Sequence, residues 1–92
     1  MGLFRKKVPI QALKEQGAIV VDVRTPDEFK AGHAKGSKNI PLAKLSGSVN
    51  ELKKLNVPII CVCAVGMRAA QAKSLLSKNG IDAHNGVSWT KV

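Results

Sequence analysis

Val57-Pro58-Ile59-Ile60-Cys61-Val62-Cys63-Ala64-Val65-Gly66-Met67-Arg68, running on into Ala69-Ala70-Gln71-Ala72-Lys73-Ser74-Leu75-Leu76, is the stretch from which the fold reads outward. Residues 57–62 are apolar and β-branched, residues 63–68 contain a glycine, and residues 69–76 are alanine-rich with a helical period. That order reads as strand, loop, helix. Cys63 then stands at the carboxyl end of a buried strand, where open α/β sheets place their ligands. The loop amides and the N-terminus of the next helix point toward its sulfur, a field that favours thiolate over thiol. Arg68 adds a permanent cation at the far rim of the loop. The competing reading is a buried strand cysteine acting as a small hydrophobe, because a lone C-x-x-x-x-R match is weak evidence. The rest of the chain decides between them.

Upstream, a short edge strand opens at Val8, and residues 9–16 read as a helix with Pro9 in its first turn. Ile10 and Leu13 share one face, and Gly17 is a left-handed stop. Ala18-Ile19-Val20-Val21-Asp22-Val23 is a near-continuous apolar run, as in a parallel strand buried on both faces. In Arg24-Thr25-Pro26-Asp27-Glu28-Phe29, Thr25 is an N-cap, Pro26 suits the first helical position, and Glu28 completes a capping box. A short helix should therefore start at Pro26 and stop near Gly32. Asp22 and Arg24 emerge at the same end of the sheet as Cys63. With Glu28 they read as an ion-pair and capping network that shapes the site rather than performing chemistry.

Gly32-His33-Ala34-Lys35-Gly36-Ser37 is a turn, followed by a short strand at Lys38-Asn39-Ile40 that Pro41 ends. His33 has no second His, Cys or carboxylate at ligand spacing, so it reads as structural rather than as a base or a metal ligand, and His84 reads the same way. Residues 41–44 form one helical turn that Ser46-Gly47-Ser48 breaks. Ser48 with Glu51 then opens a helix through a second capping box, with Val49, Leu52 and Leu55 as its apolar face and an end near Asn56. The helix after the Cys63 loop covers residues 67–79, sets Ala69, Ala72, Leu75 and Leu76 against the sheet, and stops at Gly80. Ile81-Asp82-Ala83-His84 is a last short strand, Asn85-Gly86-Val87-Ser88-Trp89 a turn, and Trp89 packs under the sheet without a binding partner. Strand and helix signals alternate. This predicts one α/β domain over residues 1–92, a sandwich around a mainly parallel sheet of about four or five short strands.

Composition narrows the function. With 92 residues, 45% of them hydrophobic and 3% aromatic, the core must be built from Val, Ile, Leu and Ala. The net charge of +9 is spread from Arg5 to Lys91 without a dense block or aromatic interleaving, so nucleic acid is not the expected partner. That field draws small anions instead. No apolar run approaches the ~20 residues that span a bilayer, so no membrane partner is expected. The opening Met1-Gly2-Leu3-Phe4-Arg5-Lys6-Lys7 lacks the apolar core of a signal peptide and the Ser or Thr of a myristoylation site. Two cysteines spaced i, i+2 make no disulfide framework, which points to a reducing, cytoplasmic setting.

The residues also resemble a known family. Val20-Val21-Asp22-Val23-Arg24-Thr25-Pro26-Asp27-Glu28-Phe29, then Gly32-His33 and Asn39-Ile40-Pro41-Leu42, look like the first half of a single-domain rhodanese. Residues 63–68, the alanine-rich helix, Gly80, Asn85-Gly86 and Ser88-Trp89 look like its second half. The resemblance implies the rhodanese-like three-layer sandwich, helices on both faces of the sheet, and sulfur transfer through a persulfide with no cofactor or metal. Cys63 matches the family's sulfur-accepting nucleophile and Arg68 the loop's closing arginine. Ala64, Val65, Gly66, Met67 and Arg68 would bind the anion through their amides. The implied partners are a small anionic donor such as thiosulfate, a thiol or cyanide acceptor, or a protein sulfur donor or acceptor. Phosphatases resembling this fold carry a loop one residue longer, so the six-residue form here favours sulfur over phosphate.

Three positions depart from the family's pattern. Ala64 and Val65 stand where thiosulfate-using loops place a basic residue, Ala69 where a serine follows the arginine, and Gly86-Val87 where Gly-Gly is usual. The first two bear on donor identity and efficiency, and the third is expected only to alter a turn. Two other readings remain beside the enzyme: a non-enzymatic persulfide carrier or docking module, and a Cys61/Cys63 redox or metal-binding protein. Cys61 itself reads as a buried strand cysteine, with the loop turning Cys63 away from the strand direction.

Overall fold

The computed structural model describes residues 9–92, so the edge strand expected at Val8 lies outside the described residues. Four parallel strands form the sheet in the order β2-β1-β3-β4: β1 (Ile19–Asp22), β2 (Lys38–Asn39), β3 (Ile59–Cys63) and β4 (Ala83–Ser88). The helices are α1 (Ile10–Glu15), α2 (Pro26–Ala31), α3 (Val49–Leu55) and α4 (Met67–Lys78), with 3-10 turns at Leu42–Ser48 and Trp89–Lys91. No helix among the described residues is long and apolar enough to cross a membrane.

Side chains alternate across a strand, so β1 and β3 each feed two cores. Val21, Val23, Ile59, Cys61 and Cys63 share one cluster with Leu45, Leu52, Ala69, Ala72 and Leu76. Val20, Ile60 and Val62 face the other way, onto Leu13, Ile10, Trp89 and Val92. The result is the expected three-layer α/β sandwich, with every residue of β3 buried. Burying each Leu or Ile contributes about 1.5–3 kcal/mol, which makes this central strand the anchor of the site it ends in.

The helix ends follow the sequence closely. Gly17 (φ 88) and Gly80 (φ 81) are left-handed stops. Gly80 N–H donates to Ser77 O at 3.0 Å and Ile81 N–H to Leu76 O at 3.1 Å, the paired bonds of a Schellman motif that satisfy the last carbonyls of α4. Ala69, Ala72 and Leu76 are buried and Leu75 half-buried against the same cluster.

Four expectations fail, each for a local reason. Residues 42–48 form one continuous 3-10 run that Ser46-Gly47-Ser48 does not break, because the fully buried Leu45 pins it to the core. Ser48 consequently enters α3 already turned (φ −106, ψ 1) rather than extended, and no capping box with Glu51 forms. Leu55 is exposed: each step of three residues falls short of a full helical turn, and two steps from Val49 carry it off the apolar face. The segment expected as a turn is instead part of β4, which runs through Asn85, Gly86 and Val87. Its register slips there, with Cys61 opposite Asn85 but Val62 opposite Val87, leaving Gly86 as the extra residue of a bulge. A Cβ on Gly86 would come within 2.7 Å of Ile60, so close packing rather than turning requires the glycine.

Candidate active site

Cys63 closes β3 at the carboxyl end of the sheet and is 1% exposed. The chain then turns through Ala64, Val65 and Gly66 into α4, with Gly66 in the left-handed region at φ 103. This turn aims the backbone at the sulfur. Gly66 N–H donates to Cys63 Sγ at 3.0 Å and Ala69 N–H at 3.4 Å. Burial pushes the thiol up, but the amides of Ala69, Gly66, Val65 and Arg68 outweigh it and hold its pKa below the ordinary value. The Ala69 donor lies one residue beyond the Ala64–Arg68 amides expected to bind the anion, in the first turn of α4.

Arg68 points across the loop to Glu28, its Nη1 donating to Oε1 at 2.7 Å and its Nη2 to Oε2 at 3.0 Å. Glu28 also completes the expected capping box, accepting from Thr25 N–H at 3.0 Å while Thr25 Oγ1 accepts from Glu28 N–H at 3.3 Å. Its carboxyl is held down to about 2, first by Arg68 and then by the Thr25 amide. Behind this pair, Arg24 and Asp22 are buried and joined by three side-chain hydrogen bonds, Nε to Oδ1 at 2.9 Å and to Oδ2 at 3.0 Å and Nη2 to Oδ2 at 2.6 Å. Arg24 further donates to the carbonyls of Gly32 (2.7 Å) and Glu28 (3.3 Å). The expected ion-pair and capping network is therefore present, as two linked pairs.

Trp89 packs under the sheet as expected, but it has a partner, with the Arg24 guanidinium 4.6 Å from its ring centre. His33 is structural: its Nδ1 lies 2.8 Å from Phe29 O and its ring stacks on Phe29. His84 lies 2.8 Å from Asp82 Oδ1. The described residues hold no cluster of His, Cys, Asp or Glu able to bind a metal. Cys61 is fully buried in the same cluster as Cys63, and burial raises its thiol to about 12.

Two residues near the loop have roles that their sequence context does not show. Asn85 Nδ2 donates to Gly66 O at 3.3 Å, tying the loop to β4. Val87 adopts φ 68, a left-handed conformation costly for a branched side chain, and accepts its place through its N–H bond to Asn85 Oδ1 at 2.8 Å. The Gly-Val departure thus does more than alter a turn: Val87 Cγ1 lies 3.1 Å from where a Cβ on Gly66 would sit. The Asn85-Gly86 pair was the visible signal, and it reads in sequence as a turn.

Residues 9–90 match the rhodanese-like domain family. An uncharacterized protein of Bacillus subtilis, YqhL, is 40% identical over 63 residues, 68% of this chain, and the chain spans only 49% of that protein's length. The thiosulfate sulfurtransferase GlpE of a Pseudomonas fluorescens strain is 33% identical over 78 residues, covering 82% of this chain and 71% of the relative. Among solved structures, a rhodanese with anions from E. coli superposes with a TM-score of 0.73 at 26% identity, over 82% of this chain and 91% of that one. Fold, order of motifs and family match agree, and the chain belongs to the rhodanese-like domain family.

Proposed function

We propose that this chain is a sulfurtransferase in which Cys63 carries a sulfane sulfur, as a persulfide, from a donor such as thiosulfate to a thiol or cyanide. The observation that carries this reading is the ring of amides on Cys63 Sγ, with Gly66 at 3.0 Å and Ala69 at 3.4 Å. Such donors favour the thiolate over the thiol, which is the form that attacks, and the same field favours negative charge on the sulfur that Cys63 would carry. Family membership and the GlpE relatives support the chemistry. Two free thiols suit a reducing compartment such as the cytoplasm.

In the first half-reaction the Cys63 thiolate attacks the outer sulfur of thiosulfate. The Cys63 S–S bond forms as the donor's S–S bond breaks, and that electron pair leaves with sulfite. In the second half, a thiolate or cyanide attacks the terminal sulfur, and the Cys63 thiolate leaves and is restored. Two displacements through one covalent intermediate require ping-pong kinetics. With thiosulfate and cyanide, double-reciprocal plots of thiocyanate formation should be parallel, and Cys63→Ala should form no thiocyanate above background. Converging lines, or undiminished turnover by Cys63→Ala, would overturn the reading.

A further inference from the structure

The loop that follows Cys63 exposes apolar side chains where a site for a small dianion would offer cations, and the lysine shown beside it, Lys73, lines a groove with Val87 on the β4 side rather than the loop itself. Val65 and Met67, on either side of Gly66, are 76% and 73% exposed. Val87 joins them from β4, partly exposed and packed toward Gly66. Its left-handed backbone is one that Gly or Asn would adopt without strain, so a branched apolar side chain stands here against local preference. The two arginines at this end of the sheet are both committed, Arg68 to Glu28 through both terminal nitrogens and Arg24 to Asp22. The Arg68–Glu28 pair is net neutral.

We infer that the donor for Cys63 is a sulfane sulfur carried on an apolar organic group, an organic persulfide R–S–SH, with Val65, Met67 and Val87 receiving R. This rests on the sulfurtransferase reading of Cys63. The Cys63 thiolate attacks the outer sulfur, a Cys63 S–S bond forms, the donor S–S bond breaks, and its electron pair leaves as the thiolate R–S⁻. The proton stays on the transferred sulfur, which keeps its oxidation state, so no outside oxidant is involved. Apolar R buries area against the three side chains, whereas thiosulfate would bring a second charge to a surface where both arginines among the described residues are paired.

Benzenethiosulfonate and thiosulfate deliver the same outer sulfur, leaving as benzenesulfinate and sulfite, and differ in an apolar ring and one negative charge. The test is the ratio of their kcat/KM values, benzenethiosulfonate over thiosulfate, in wild type and in Met67→Lys, with intact mass confirming sulfur on Cys63. Intrinsic donor reactivity cancels between the two proteins, and Met67 is exposed enough for the substitution to leave the fold intact. Wild type should favour benzenethiosulfonate, and Met67→Lys should lower the ratio by about tenfold, the scale of one apolar contact exchanged for a charge. Loading by both donors with a ratio unmoved by Met67→Lys, or a wild type that favours thiosulfate, overturns the apolar-donor inference and leaves the sulfurtransferase reading standing. No sulfur on Cys63 from either donor overturns both.

Discussion

Arg68 and Glu28, forty residues apart in the chain, meet in a two-bonded pair of 2.7 and 3.0 Å. Glu28 thereby closes the N-terminal cap of α2 and holds the arginine that ends the Cys63 loop. One carboxylate links the two halves of the site.

That link sets a pH dependence. Glu28 titrates near 2 when folded against an ordinary value of 4.5, so between these values the unfolded chain binds more protons. Its contribution to stability is full above 4.5 and is lost as pH falls through about 2. Urea unfolding across this range should show a shallower rise of stability with pH in Glu28→Gln than in wild type. Superimposable profiles would mean the pair is not formed in solution.

The amide ring makes a second prediction, about nucleophilicity. The rate of Cys63 alkylation by iodoacetamide should inflect below pH 9.0, the thiol's ordinary value, because the amide donors outweigh burial. Gly66→Ala places a Cβ 3.1 Å from Val87 on a left-handed backbone, so the loop must shift and the 3.0 Å donor is displaced. Its inflection should move up toward 9.0. An inflection at or above 9.0 in wild type would contradict the field inferred from the geometry.

The Asp22–Arg24 pair should behave unlike the exposed one. Asp22→Asn keeps the shape but strands a buried guanidinium, which costs about 3–5 kcal/mol in equilibrium unfolding. A loss below about 1 kcal/mol, the range of a surface pair, would show that Arg24 reaches water.

The legible parts of the site were local. The strand-loop-helix around Cys63, the Thr25–Glu28 capping box and the glycine stops each depend on residues within a few positions of one another, so their spacing carried the signal. Arg68 on Glu28 was not legible, because it arises only when the order β2-β1-β3-β4 brings the start of α2 beside the loop after β3. Arg24 under Trp89 is hidden for the same reason. Ser48 and Asn85-Gly86 misled because their local preferences were overridden, one by the buried Leu45 upstream and the other by contact of Gly86 with Ile60 and Val62. Val87, being β-branched, gives no sign of a left-handed backbone by its own identity, and only the glycine usual at that position in the family hinted at it.

If Cys63 holds the transferred sulfur, intact mass after incubation with thiosulfate will show it when wild type, Cys63→Ser and Cys61→Ser are compared. Wild type and Cys61→Ser should gain one sulfur, ~32 Da, removable by cyanide, and Cys63→Ser should gain none. A gain that survives in Cys63→Ser and disappears in Cys61→Ser would contradict the account and move the chemistry to the buried cysteine.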